Sequence, residues 1–488
     1  MTISPDRSST PTGSPHARIL IVLIAIEVFA VFETAMAIAA IPTFMRVFEA
    51  DAAAVGWTTT AYLLVGAASA ATAGRLGDIF GRRNVLVFVL AAAACGSLIS
   101  VLAADLWMVT LGRGVQGLAA GALPLSFALV RELLPERRVP LAIALLGGIV
   151  PICAGGGALL AGVLLDHSGW RLMFIVATAM GTAAALTGLI GLPRTPGLRP
   201  RPSVDMVGAV LLVPATGGVL FGVTQGEKWG WTDPRVLLPI GLGLAALALW
   251  VWWERRVREP IVDVRQFGDR KVALTTLATV LVGLGPMGAS SIMVPVIMQL
   301  PERAPVGHGL TATTSGVVML FIAVIGYGGA AVSGRIAQLM GARWSLLTAC
   351  VLYIAGGTMW IFLVQNLPGT IGCLILINVG SAFAFSALPI LIVEVVPSAQ
   401  TGAATGMNRV TLNVSIACGL SLTSVIMATR TVPGTHLPTE AAITSACLLI
   451  IGAAVVSLVL AALIGSVRRT PVPAAPPAPG LGPKRAAA

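Results

Sequence analysis

Charge is what this sequence has least of. Of its 488 residues only 10% are Asp, Glu, Lys or Arg, against about a quarter in an ordinary soluble protein. Lysine is almost missing, with Lys228, Lys271 and Lys484 the only three. They are followed by Trp229, Val272 and Arg485, so no Gly-Lys-Ser/Thr phosphate loop exists and a nucleotide-driven pump is excluded. The six cysteines (Cys95, Cys153, Cys350, Cys373, Cys418 and Cys447) lie in apolar stretches without Cys-x-x-Cys spacing. They read as small buried hydrophobes rather than metal or disulfide partners. His16, His167, His308 and His436 are scattered over loops and the tail, with no ligand spacing. Neither a zinc-helix nor a nucleophile-elbow motif is found, so neither an enzyme nor a metal or cofactor site is expected. No cleaved signal is expected either. Residues 1–18 are polar, and the apolar stretch that follows is too long for a signal core and carries Glu27 and Glu33.

What remains is oil. Hydrophobic residues make up 56% of the chain and the mean hydropathy is +0.92. A bilayer-crossing helix needs about 20 apolar residues. Fourteen such runs are found, near 19–41, 56–74, 84–102, 107–129, 140–164, 172–192, 207–225, 235–253, 273–298, 314–333, 344–364, 370–393, 403–427 and 442–466. Trp57, Trp107, Trp170, Trp231, Trp253 and Trp344 stand near span ends, where indoles anchor helices at the membrane surface. With the N-terminus in the cytoplasm, only six of the 31 basic residues fall outside: Arg46, Arg171, Lys228, Arg235, Arg303 and Arg430. Arg113 and Arg409 lie within spans, and the remaining 23 fall inside. The positive-inside rule therefore places both termini in the cytoplasm. The net charge of +11 belongs to these loops and calls for no nucleic acid.

The chain also repeats itself. Gly74-Arg-Leu-Gly-Asp-Ile-Phe-Gly-Arg-Arg83 follows span two, and Gly334-Arg-Ile-Ala-Gln-Leu-Met-Gly-Ala-Arg343 follows span ten. Glu132-x-x-Pro135 and Glu394-x-x-Pro397 end spans four and twelve. Matches at nearly equal offsets predict an all-α polytopic membrane protein of two six-helix halves, with spans seven and eight inserted between them. The expected parts are a tail at 1–18, a first half at 19–192, a linker with the inserted pair at 193–271, a second half at 272–466 and a disordered tail at 467–488.

Three motifs carry chemistry. In the loop after span two, Gly74 and Gly81 permit tight turning, and Asp78 can take a helix N-terminus or pair with Arg82 or Arg83. This loop is expected to be a conformational latch. A carboxylate in a span is a functional candidate by default. Glu33 lies ~12 Å below the outer end of span one and Arg113 ~9 Å below that of span four, at about 1.5 Å per residue. Tyr62 shares their level, and Gln116 shares a helix face with Arg113. Glu33, Arg113 and Glu27 are the proton-coupling candidates. Arg409, near the inner end of span thirteen, is expected to snorkel to water, and Glu394 is expected at the inner surface. Tyr62, Gln116, Met287 and Phe385 are the cavity candidates, with Met293 and Met298 beside them. In span five, Pro151, Gly157 and Gly162 suit close helix packing.

These residues resemble the major facilitator superfamily, and within it the fourteen-span drug:proton antiporters. The Gly74–Arg83 loop is similar to the superfamily's loop motif. Leu111-Gly-Arg-Gly-Val-Gln-Gly117 resembles its span-four motif, which implies a proton-relay role for Arg113. Phe32–Pro42 resembles the span-one motif, with Glu33, Ala35 and Ile38 where that family has Asp, Thr and Asn. Trp57, Thr60 and Tyr62 fit it as well, as do Trp170, Arg171 and Phe174. Span five departs, because Gly157-Ala-Leu-Leu-Ala-Gly162 lacks the Pro and one Gly of the antiporter motif. The resemblance covers about residues 19–466. It implies alternating access and proton-coupled efflux of drugs, antibiotics or secondary metabolites. The expected partners are an amphipathic or cationic small molecule, protons and the bilayer of the cell membrane, with the chain a monomer. A proton-coupled nutrient or siderophore transporter is the competing reading; a non-transporting sensor or intramembrane enzyme ranks third.

Overall fold

A computed structural model describes residues 15–40, 43–44, 47–50, 52–197, 205–257, 260, 264–301, 305–310, 312–397, 400–432 and 438–464. Of the expected tails at 1–18 and 467–488, residues 15–18 already belong to the first helix, and residues 1–14 and 467–488 lie outside the described residues. So do the side chains at Glu33, Pro151 and Gly162, although the helices that carry them are described.

All the regular structure named below is helical. The N-terminal helices are α1 (Pro15–Ala39), α2 (Ala52–Phe80), α3 (Arg82–Val101), α4 (Leu106–Leu133), α5 (Val139–Ser168) and α6 (Trp170–Gly191). Next come α7 (Met206–Trp229) and α8 (Pro234–Glu254). The C-terminal helices are α9 (Arg270–Gln299), α10 (Ala312–Met340), α11 (Ala342–Leu363), α12 (Leu367–Val393), α13 (Thr401–Thr429) and α14 (Glu440–Leu463). Among the described residues, eleven helices are long and apolar enough to cross a membrane; α1, α2 and α7 are not among them.

Local chemistry sets where the helices start. Asp105, Asp205, Asp233, Asp269, Asn366 and Thr439 each accept a hydrogen bond from the first turn that follows them, which satisfies a backbone N–H that the helix itself leaves open. Gly81 and Gly341 occupy matching places in the repeated loops, with φ of 91° and 99°. Each lets the chain reverse between two long helices over a single residue, a conformation that a Cβ would strain. Two helices are irregular inside. α4 tightens to a 3-10 turn over Gly117–Gly121, where Ser69 Oγ donates to the Leu118 carbonyl at 2.7 Å. The expected uniform span at 273–298 instead opens into a π-helix over Gly283–Ala289 around Pro286, because proline has no N–H to continue the ladder.

Packing shows the internal symmetry. In the N-terminal bundle α1 packs on α5, α3 on α6, α3 on α4, and α2 on α4. In the C-terminal bundle the partners are α9 and α13, α11 and α14, α11 and α12, and α10 and α12. Adding eight to each helix number converts one set into the other. The bundles meet along two seams that obey the same rule, α2 against α13 and α5 against α10. α7 and α8 form a hairpin, and α7 lies on α2 and α13 together. Trp57 of α2 stacks on Phe221 of α7 at 5.3 Å, and Ser421 of α13 donates to the Val223 carbonyl.

Exposed indoles do occur at helix ends, as at Trp57, Trp107 and Trp344. Trp170 behaves otherwise. It is buried against Phe44, Phe48 and Phe174, because Phe44 and Phe48, which stand between α1 and α2, pack on the start of α6 and take it into a small aromatic core.

Candidate functional site

Two of the polar clusters in the interior are built on charged side chains of the spanning helices. The first is built on Arg113 of α4, which is 2% exposed. Its guanidinium carbon lies 4.5 Å from the centre of the Tyr62 ring on α2, and Nη1 donates to Gln116 Oε1 at 2.8 Å. Gln116 Nε2 in turn donates to Ser97 Oγ on α3. The close approach has a cause: a Cβ on Gly117 would lie 2.5 Å from the Tyr62 carbonyl oxygen. Tyr62, Arg113 and Gln116, named from sequence, thus share one cluster. Glu33 is on α1, with its side chain outside the described ones.

The second cluster surrounds Glu27 of α1, also 2% exposed. Ser126 Oγ of α4 donates to Glu27 Oε1 at 2.7 Å. Arg409 of α13 faces the same space, and its charge and that of Glu27 act on one another. Among the described residues they form no direct ion pair. The guanidinium lies 5.1 Å from the centre of the Phe385 ring on α12, where a cation is held by the ring's quadrupole. Arg409, half-buried, thus lies over an aromatic face with a carboxylate nearby, partners that the sequence does not predict beside its reach to water. A partner from the opposite bundle cannot be read from the Arg409 span alone. Tyr62 also acts on the Arg409 charge, so the two clusters adjoin.

The methionines lie elsewhere. Met287, Met293 and Met298 are buried in the core, Met287 within the π-helical segment, which Gly283 and Gly288 press tightly against α13. The cavity on the C-terminal side, about 370 Å³, is lined instead by Ser290, Ser291 and Val294 of α9, Met319 and Ile322 of α10, and Leu374, Ile377, Asn378 and Ser381 of α12. Its polar groups are hydroxyls and an amide. Asn378, in the middle of an apolar run, is the sequence signal for it.

The expected latch is a network. Arg82 Nε donates to Asp78 Oδ1 at 3.0 Å, and Nη1 donates to the Ala128 carbonyl and to Glu132 Oε2 of α4. Asp78 pairs with Arg82 and not with Arg83, which donates to the Gly188 and Leu189 carbonyls of α6. Gly81 makes the turn, and a Cβ there would meet the Thr195 carbonyl. Gly74 closes the seam to the other bundle: its Cβ would lie 2.1 Å from the Gly402 carbonyl carbon of α13. On the same face Arg131 Nη1 donates to the Val396 carbonyl and Thr401 Oγ1, and Gln338 donates to the Arg137 carbonyl. Glu394, expected at this surface, binds Lys271 Nζ at 2.6 Å. In α5, Gly148 lies against Tyr327 and Ala330 of α10, and Gly156 against Phe32 of α1. Gly157 is buried.

The chain is similar to known transporters along most of its length. It is 27% identical over 423 residues to the tetracenomycin C resistance and export protein of Streptomyces glaucescens, covering 86% of this chain and 77% of that one. It is 28% identical to the multidrug resistance protein Stp of Mycobacterium tuberculosis, over 84% of this chain and 76% of that one. The multidrug resistance protein B homolog of the same species is 32% identical over 58% of this chain and 53% of its own length. In fold, the human organic anion transporter MFSD10 superposes with a TM-score of 0.65 at 15% identity, over 92% of this chain and 100% of that one. A bacterial homologue of the iron transporter ferroportin gives 0.58 at 12%, over 92% and 99%. The family description "Major Facilitator Superfamily" matches residues 23–420. With that match on paired bundles whose contacts recur eight helices apart, this chain belongs to the Major Facilitator Superfamily and is a multi-pass membrane transporter.

Proposed function

We propose that this transporter exports drugs, antibiotics or secondary metabolites across the cell membrane in exchange for protons. The chain crosses the bilayer fourteen times with both termini in the cytoplasm, and its functional parts follow the boundaries 19–192, 193–271 and 272–466. Three relatives named for export or multidrug resistance support the substrate class. The asymmetry of basic residues supports the orientation, and puts the Gly74 face inside.

One observation carries the coupling. Glu27 on the first bundle, buried, and Arg409 on the second, half-buried, are charges of opposite sign that act on one another across the interface between the bundles. An ionised carboxylate in a span costs about 3 kcal/mol. Protonating it removes that cost and also removes its hold on the arginine of the other bundle. Protonation of Glu27 and rocking of the bundles are thereby one process. Glu33, on the same helix and level with Arg113, is the second proton carrier. Substrate enters between the clusters and rests against the neutral pocket of Ser290, Asn378 and Ser381. The test is efflux from proteoliposomes under an imposed pH gradient. Glu27→Gln and Glu33→Gln are each expected to abolish gradient-driven transport in protein that remains monodisperse. Wild-type, gradient-dependent rates in both variants would refute proton exchange at these acids.

A further inference from the structure

α8 is the helix that offers most of itself to the surroundings: Leu237, Leu238, Leu242 and Leu244 are all more than half exposed. A cavity of about 630 Å³ runs along its last turns, lined by Leu244, Leu247 and Val251 and ended by Trp252, Arg255 and Arg256. The charges at this helix end are sorted by face. Glu254 is 1% exposed and turned towards α7, where a Cβ on Gly208 would lie 2.9 Å from Oε1. Asp205 caps α7 through the Gly208 N–H and accepts from the Trp253 indole. Both carboxylates thus point into the α7–α8 hairpin. Both guanidiniums line the groove, with that of Arg256 4.2 Å from the centre of the Trp252 ring. Arg265 donates to the Arg255 carbonyl at 2.8 Å, which brings a third guanidinium to the same turn.

We propose that this groove seats an anionic phospholipid, one acyl chain along Leu244, Leu247 and Val251 and the phosphate on Arg255 and Arg256. The two features occur together only in a lipid: an apolar stem as long as two helical turns and a phosphate at its end. Guanidinium matches phosphate oxygens with paired donors. Basic clusters at the end of a spanning helix attract anionic headgroups. A zwitterionic headgroup would bring its own ammonium against the arginines and is disfavoured. The site lies on α8, which packs on α7, and the inference stands whether or not protons drive export.

Native mass spectrometry of the purified full-length protein, with phosphatidylglycerol or phosphatidylcholine added at equal concentration, tests this. The wild type is expected to retain phosphatidylglycerol at least tenfold over phosphatidylcholine, and R255Q/R256Q to bring the ratio near one. Leu247→Trp fills the groove without touching a charge and is expected to remove the phosphatidylglycerol adduct; it carries the test if R255Q/R256Q is not monodisperse. Glycerol 3-phosphate in millimolar excess is expected to leave the adduct in place. Equal retention of the two lipids by the wild type, an unchanged preference in R255Q/R256Q, an adduct surviving in Leu247→Trp, or displacement by glycerol phosphate would each overturn the proposal.

Discussion

Replacing Gly74 by alanine adds one methyl group where the two bundles touch backbone to backbone. The new Cβ would lie 2.1 Å from the Gly402 carbonyl carbon, 2.3 Å from Ala403 N and 2.5 Å from the Gly402 oxygen. Ordinary contact begins at 3.4 Å, so α2 and α13 must separate by about 1.3 Å, and no side chain stands between them to yield. Overpacking of this kind costs about 1–3 kcal/mol. The cost falls only on the conformation in which this face is closed. At about 1.4 kcal/mol per factor of ten, the closed form loses roughly 5- to 150-fold against any state with the seam open. Spin labels at Phe80 of α2 and Leu339 of α10, both exposed on this face, report the distance between the bundles on a cysteine-free background. Gly74→Ala is expected to shift the distance distribution towards longer separations and to slow transport in protein that still folds. Gly402→Ala should do the same, because its own Cβ would lie 2.7 Å from Gly74 Cα. The double variant should add little, since one separation relieves both clashes. An unchanged distance distribution together with a wild-type transport rate would refute the argument.

Two further outcomes are expected. Arg82→Met leaves Asp78, whose side chain is 2% exposed, and Glu132 without their cation. Thermal unfolding in detergent should show a loss of about 3 kcal/mol, while Asp78→Asn, which keeps an acceptor for Arg82, should lose less. Arg113→Lys preserves the charge but replaces a planar group that stacks on Tyr62 and donates to Gln116 with a compact ammonium. Efflux assays should find it impaired nearly as severely as Arg113→Ala, whereas a purely electrostatic role would leave it active.

Much of the architecture was legible because a bilayer imposes long apolar runs and the loops repeat. Gly81 and Gly341 could be matched by eye, and their shared positive φ supplies the reason. The clustering of Tyr62, Arg113 and Gln116 followed from depth counting along straight helices. What escaped was everything that depends on two distant helices meeting. Arg409 looked like a residue near a span end with water in reach; the Phe385 ring and Glu27 that face it come from α12 and α1. The apolar run of α9 offers its methionines as cavity lining, yet Met287, Met293 and Met298 are buried in the core. The π-helical turn at Pro286 shifts the helical register beyond it, and Ser290 and Ser291 line the cavity instead. Asp78 had two arginines in reach by sequence, and only the placement of α4 and α6 divides them between acid and carbonyl partners.

The α7–α8 hairpin makes the two seams of the molecule unequal. Because α7 covers α2 and α13 together, that flank carries an added helix from outside both bundles, while the helix that touches both α5 and α10 is α12, a member of the C-terminal bundle itself. A greasy molecule dissolved in the membrane thus meets the insertion at one seam and the bundles themselves at the other.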